Sequence, residues 1–362
     1  MDKELKSAKI FDGLTVLELA GVLAGPDVGM FFSELGAKVI KVENKLTNGD
    51  VTRKWKLPTE DDSANISAYF CSVNYHKEYI FLDYFDKNDF KKLHHLIKQS
   101  DIIISNFKPG DDKKFHLDFE SVKKIQPTII YAQLTGFGEK NPRVAFDLVL
   151  QAETGFMSIN GTPESGPLKM PVALIDVLAA HQLKEGILTA LWMQCKEKKA
   201  RKVSVSLYDA AIASLKNQAT NWLMAKEIPQ PIGSLHPNIA PYGETFYTKD
   251  NKPVVLAIGS NKQFQQLLSI LHLDNLTNDE KFSTNINRVK NREELAQILA
   301  NAIKNFNRDE LLKFAYEKNI PLSPILSINE VFENPEANQL VLEEDIDNVP
   351  TKRVKTAVFK IE

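Results

Sequence analysis

The stretch that decides the fold is Thr15-Val-Leu-Glu-Leu-Ala-Gly-Val-Leu-Ala-Gly-Pro26, followed by Lys38-Val-Ile-Lys-Val-Glu43. Thr15–Leu19 is a short apolar run of strand type, and Ala20–Gly25 is a turn. Pro26 then stands where a helix begins, a place that tolerates proline because the first-turn N–H groups have no intrahelical partner. Phe31, Phe32 and Leu35 mark the buried side of that helix, Gly36 ends it, and Lys38–Glu43 is the next strand. Together they form one strand–helix–strand unit.

The pattern repeats outward from there. Tyr79–Tyr84 reads as a strand, Lys87–Gln99 as a helix and Asp101–Phe107 as a strand; a short helix at Ser121–Ile125 leads to a strand at Thr128–Leu134. Such alternation predicts an α/β fold with a parallel sheet covered by helices, whose ligands sit in the loops beyond the carboxyl ends of the strands. Those loops are Ala20–Pro26, Asn44–Arg53, Asn106–Lys114 and Thr135–Arg143. From Phe146 to Gln194 the chain reads as mainly helical, broken by Gly161–Pro171. Val203–Leu207 reads as a strand and Ala210–Met224 as one long helix.

At 362 residues the chain exceeds the usual reach of one core, and its composition shifts at Ile228–Tyr242, which holds four prolines. The predicted division is a large domain over 1–205, a linker helix over 206–228 and a small α+β domain over 229–326, with 327–362 returning to the large one. In the small domain, Glu244–Thr248 and Pro253–Ile258 flank a polar turn and predict a hairpin.

A net charge of −2 argues against a nucleic-acid binder held by phosphate contacts. Two cysteines, Cys71 and Cys195, are too few for a disulfide framework or a zinc site. His94-His95 point in different directions on a helix, so no metal is expected. No apolar stretch nears the ~18 residues of a membrane span, and the N-terminal residues Met1–Ile10 do not read as a signal peptide; a cytoplasmic protein is expected. The first turn, Gly21-Val-Leu-Ala-Gly25-Pro26, is not G-x-G-x-x-G, which speaks against a nicotinamide dehydrogenase even though Glu43 ends the second strand.

Asp176 stands apart. It is a carboxylate inside Pro171-Val-Ala-Leu-Ile-Asp176-Val-Leu-Ala-Ala180, ahead of an apolar helix. Buried acids are costly unless paired or functional. Two readings stay open on pattern alone: a helix N-cap, and a catalytic carboxylate kept ionised by the helix dipole.

Taken in order, these residues resemble the class III CoA-transferase family of CaiB/BaiF type, with the carnitine and formyl-CoA transferases and the α-methylacyl-CoA racemases. The resemblance is carried by Val16-Leu-Glu-Leu-Ala20 with Ala24-Gly-Pro26, Leu35-Gly-Ala37, Val39-Ile-Lys-Val-Glu43, and Gly49-Asp50 before Arg53. It continues through Asn106-Phe107, Thr135-Gly-Phe-Gly138, Phe146-Asp147, Gln151-Ala152 and Asp176, then His236-Pro-Asn-Ile-Ala-Pro-Tyr242, Asn285, Arg288-Val289 and Asn291-Arg292.

The resemblance implies a Rossmann-like large domain, a small domain and an interlocked homodimer. It implies acyl-CoA:carboxylate CoA transfer, with Asp176 as the nucleophile that becomes an aspartyl-CoA thioester. Coenzyme A is then a substrate exchanged between an acyl-CoA donor and an acceptor acid, not a resident cofactor. By the same resemblance the coenzyme touches Leu23, Ala24, Asn106, Phe107 and Lys108. Lys114 stands where the family tends to place a phosphate-binding arginine, and Phe146 and Asp147 lie beside the thioester.

Several positions depart from the family pattern. Phe146 replaces the histidine of the racemases and can neither give nor take a proton, which argues against racemase or isomerase chemistry. Asn44 stands where a basic residue often binds the nucleotide, leaving Lys45 as its substitute. In Asn74-Tyr-His-Lys77 an arginine has become Tyr75, while Lys77 is kept as a further coenzyme contact. These losses, with a chain ending short of the family's C-terminal segment, keep a non-catalytic CoA-binding paralogue as the alternative.

Overall fold

The computed structural model describes residues 9–361, so the N-terminal reading of Met1–Ile10 lies mostly outside the described residues. By their contacts the described residues divide into two compact units, 9–160, 167–230 and 338–361 in one and 161–166 with 231–337 in the other.

The larger unit is built on a six-stranded sheet: β1 (Thr15–Leu19), β2 (Lys38–Asn44), β3 (Lys77–Leu82), β4 (Ile102–Ser105), β5 (Ile130–Thr135) and β6 (Arg201–Ser206). All neighbours are parallel, in the order β3-β2-β1-β4-β5-β6. The order reverses between β1 and β4, and a crevice opens beyond their carboxyl ends at such a switch point.

Alternation along the strands sorts the core into two faces. Val16, Ile102, Ile104, Ile130 and Ala132 pack on one side with helices α1 (Ala24–Glu34) and, beyond the helices named next, α5 (Leu174–Gln194). Leu17, Ile40, Ile103 and Tyr131 pack on the other with α2 (Lys87–Lys98) and α3 (Phe119–Ile125). Strands covered on both sides read as continuous apolar runs, which is why Ile102-Ile103-Ile104 needs no polar partner.

Between them α4 (Asp147–Glu153) precedes α5. The expected single helix over Ala210–Met224 is two, α6 (Leu207–Ser214) and α7 (Lys216–Ala225), separated at Leu215 where Lys216 takes φ +42°. Both belong to the large unit rather than to a separate linker over 206–228.

The small unit carries a three-stranded antiparallel sheet of β7 (Tyr242–Tyr247), β8 (Pro253–Ala257) and β9 (Leu322–Pro324), with β8 in the middle. Its core lies against helices α8 (Asn261–Ile270), α9 (Arg292–Ile303) and α10 (Arg308–Glu317). Arg288 is buried there at 1% exposure, and its guanidinium donates to Ala240 O, Phe282 O and Asn261 Oδ1 at 2.8–2.9 Å while lying over Phe264. Asn285 accepts from Ala240 N–H at 3.2 Å and Arg292 pairs with Glu244 at 2.9 Å. These motif residues hold the segment His236–Tyr242 in place.

This unit runs to Ala337, further than the boundary at 326 read from the sequence. The chain then forms a hairpin of β10 (Val341–Ile346) and β11 (Val349–Val354) in the large unit. There Asp347 pairs with Arg53 at 3.3 Å, and Glu34 accepts the N–H groups of Thr356 and Ala357 at 2.7 and 2.9 Å.

Candidate active site

Asp176 is not a helix cap. Ala173 occupies the N-cap of α5 without a side-chain bond, and Asp176 is the third helical residue, 8% exposed. The capping is done from outside by Asp147 at the start of α4, whose Oδ1 accepts the N–H groups of Ile175 at 2.7 Å and Asp176 at 3.3 Å. First-turn N–H groups lack intrahelical acceptors, so a carboxylate here replaces the missing cap.

Asp147 is itself held. Gln151, one turn along α4 and 1% exposed, donates Nε2–H to Asp147 Oδ2 at 2.6 Å. Its Oε1 accepts from Met170 N–H at 2.7 Å, which fixes the amide orientation.

The surroundings push the Asp176 carboxyl up to about 7, first through burial and then through the charge of Asp147. Burial and the neighbouring Asp147 charge thus oppose the ionised form that a helix N-terminus favours. A carboxylate with a raised pKa is the more basic, and so the more reactive, nucleophile once it ionises.

Asp176 opens onto a cavity of about 240 Å³ at the switch point. Its walls are Gly21–Ala24 after β1, Asn106–Pro109 after β4, the end of β5, and Arg143–Asp147. The structure thus brings Leu23, Ala24, Asn106, Phe107, Lys108, Phe146 and Asp147 together around Asp176. Asn106 joins two of these walls by donating to Gly21 O at 2.8 Å and accepting from Gly21 N–H at 3.1 Å.

A second hollow of about 320 Å³ shares Gly21, Val22, Asn106 and Phe107 and extends past Glu43, Asn44, Tyr84 and Phe115. Lys45 and Lys114 do not line either cavity, although each follows a lining residue or precedes one. Lys45 is exposed next to Asn44, and the Lys114 ammonium lies 5.7 Å from the centre of the Phe115 ring.

Lys77 is elsewhere. Its ammonium is buried against Glu18 at 2.8 Å and donates to Pro26 O, Val73 O and Asn74 Oδ1 at 2.9 Å. Burial pushes it down to about 8. Gly29 makes room for this pair, since a Cβ there would overlap Glu18 Oε2. Lys77 offers no donor to either cavity.

Sequence reasoning missed a buried network that shapes the first wall. Lys41 Nζ meets Glu18 Oε1 at 2.9 Å, Ala20 O at 2.8 Å and Asp50 Oδ2 at 3.2 Å. Burial opposes the Lys41 charge, but Glu18 and Asp50 outweigh it and hold its pKa above the ordinary value. Asp50 Oδ2 in turn accepts Val22 N–H at 3.0 Å. Val22 sits at φ +71°, a left-handed conformation that costs a β-branched residue on the order of 1–3 kcal/mol. Strain of this kind persists only where neighbours over-determine it, and Val22 lines both cavities.

Among the described residues no group of three or more His, Cys, Asp or Glu is placed to hold a metal ion, and no helix is long and apolar enough to cross a membrane.

A parallel α/β sheet with a buried, basic carboxylate at its switch point defines a protein built to act on a ligand in that crevice. The sequence matches CoA-transferase family III over residues 11–361, and the chain belongs to that family. It is 35% identical over 341 residues to the succinate–glutarate CoA-transferase of Agrobacterium fabrum, covering 92% of this chain and 84% of that one. It is 32% identical to the human succinyl-CoA:glutarate CoA-transferase, covering 99% and 82%. The crystal structure of a CaiB/BaiF family protein from Brucella suis superposes with a TM-score of 0.83 at 35% identity, covering 96% of this chain and 92% of that one. The chain is thus a class III CoA-transferase, an enzyme class that uses CoA substrates.

Proposed function

We propose that this enzyme exchanges coenzyme A between carboxylic acids, dicarboxylates among them, through a covalent aspartyl-CoA thioester on Asp176. The observation that carries this reading is the placement of a buried carboxyl with a pKa near 7 on the wall of the switch-point cavity.

The ionised Asp176 attacks the thioester carbonyl of the donor, and the C–S bond breaks to give a mixed anhydride and CoA thiolate. The thiolate then attacks the Asp176 acyl carbon, releasing the donor acid and leaving aspartyl-CoA. An acceptor carboxylate attacks that thioester, expels the thiolate and forms a second anhydride. Thiolate attack on the acceptor's acyl carbon yields the new acyl-CoA and restores Asp176. Charge is conserved at each exchange, and no proton enters or leaves. Covalent catalysis of this kind divides one difficult transfer into easier steps.

Leu23, Ala24, Asn106, Phe107 and Lys108 hold the coenzyme's reactive end, and the second hollow takes the part beyond it. Lys45 and Lys114, at that hollow's margin, meet phosphate as point charges. Phe146 supplies no acid or base, which disfavours racemisation. A cytoplasmic homodimer, interlocked as the resemblance implies, accords with exposed apolar side chains on α5 and α7 such as Trp192 and Leu223. Light scattering on the purified chain reads its mass directly.

The relatives named above act, by their names, on succinate or its CoA ester and glutarate, which sets the first assay. Succinyl-CoA and glutarate are incubated with the enzyme and glutaryl-CoA is followed by liquid chromatography and mass spectrometry. Product that disappears in Asp176→Ala is expected. Tight acyl-CoA binding with no transfer to any acid would identify a non-catalytic paralogue instead.

A further inference from the structure

We propose that Arg143 recognises the distal carboxylate of a dicarboxylic acid, so that the cavity favours dicarboxylates over monocarboxylates of equal length. The proposal rests on the transferase reading above and assigns a residue to its substrate choice.

The charges around the cavity frame the problem. Its lining carries the carboxyl groups of Asp147 and Asp176 and two cations, Lys108 and Arg143. An acid entering this site brings its reacting carboxylate towards Asp176, beside Asp147. A second carboxylate on the same molecule then needs a cation, because a charge taken from water without a partner is expensive. Lys108 lies on the Asn106–Pro109 wall, where the coenzyme is placed, and carries a single flexible ammonium. Arg143 lies on a different chain segment, four residues before Asp147, and presents the planar fork that matches a carboxylate.

The fork is already ordered at the cavity's margin, on Phe137 and Glu153, neither of which lines the cavity. The Arg143 guanidinium lies over the Phe137 ring, 4.2 Å from its centre. Its two terminal nitrogens meet the two oxygens of Glu153, Nη1 to Oε2 at 3.0 Å and Nη2 to Oε1. Glu153 therefore stands in for the carboxylate that the fork is shaped to hold. The two side chains are 52% and 37% exposed, and ion pairs so open to water are held weakly. A substrate carboxylate exchanges with Glu153 at little cost, while Phe137 keeps the guanidinium plane in place.

The test compares two thioesters of similar length, glutaryl-CoA with a distal carboxylate and butyryl-CoA without one. The rate of Asp176 adduct formation is measured against thioester concentration for wild type, Arg143→Gln, Arg143→Lys and Glu153→Gln. In Arg143→Gln, kcat/KM for glutaryl-CoA falls tenfold or more, as expected for a lost charged contact, with the loss in KM. Butyryl-CoA changes by less than about threefold and also shows that the variant is folded. Arg143→Lys recovers part of the glutaryl-CoA rate, and Glu153→Gln lowers its KM. Equal losses with both thioesters would make Arg143 structural and overturn the proposal, as would no loss with either. If wild type forms no adduct with any thioester, the transferase reading itself fails, which is a distinct result.

Discussion

Replacing Asp176 with asparagine removes the proposed nucleophile, and it is also expected to stabilise the protein at alkaline pH. The folded state raises this carboxyl from 3.8 to about 7, so it holds the proton more tightly than the unfolded chain does. The stability this proton contributes is complete below pH 3.8 and is lost as the pH rises through 7. Roughly three decades of proton affinity, at 1.36 kcal/mol each, place the cost of the ionised form at about 4 kcal/mol above neutrality. Between pH 5 and pH 8.5 the linkage relation leaves a change of about 3 kcal/mol. Asparagine has nearly the same shape and no charge to desolvate, so Asp176→Asn gains that amount on wild type across the interval. Urea unfolding of both proteins at the two pH values reads it. Contributions from other groups, such as the buried Lys77, are common to both proteins and cancel. An equal difference at pH 5 and pH 8.5 would show that Asp176 titrates as an ordinary surface acid. The same titration predicts that adduct formation in wild type rises about tenfold per pH unit below 7 and levels off above it.

Other substitutions test the supporting structure. Gln151→Leu strands Asp147 Oδ2 and Met170 N–H, costing about 1–3 kcal/mol, and slows adduct formation without changing the KM for acyl-CoA; single-turnover kinetics separate the two effects. Lys41→Met leaves the buried Asp50 carboxylate without its cation and Glu18 with Lys77 alone, and costs about 3–5 kcal/mol, read as a fall in the thermal midpoint. Arg288→Leu frees the carbonyls of Ala240 and Phe282 and destabilises the small unit by about 2 kcal/mol or more, seen as faster hydrogen exchange across 236–242.

Much of the sheet was legible because buried parallel strands are continuous apolar runs with glycine and proline at their ends. Thr15–Leu19 and Lys38–Glu43 announce their own register through Val16 and Leu17 on opposite faces. The hollow at the switch point follows from that topology. Asp176 was legible for the opposite reason: an acid in an apolar stretch contradicts its surroundings.

The residues that organise Asp176 carry no such mark. Asp147 is 29 positions away, and nothing local shows that it caps a helix to which it does not belong. Lys77 is a coenzyme contact only by the family resemblance that keeps it, whereas the packing of α1 on β1 reveals that its charge is buried with Glu18. Lys41 and Asp50 pair across separate elements to hold Val22, and sequence spacing cannot show that. The hairpin at 341–354 did leave a signal, since Asp347-Asn348 is a pair suited to the positive φ angles of 52° and 63° that its turn adopts.

The central claim is that Asp176 carries coenzyme A. Wild type and Asp176→Ala are incubated with succinyl-CoA, treated with hydroxylamine, and compared by intact mass and peptide mapping. The account predicts a coenzyme A adduct in wild type, converted by hydroxylamine to a hydroxamate on the Asp176 peptide, and neither species in the variant. An adduct that persists in Asp176→Ala, or that maps to another residue, would contradict it.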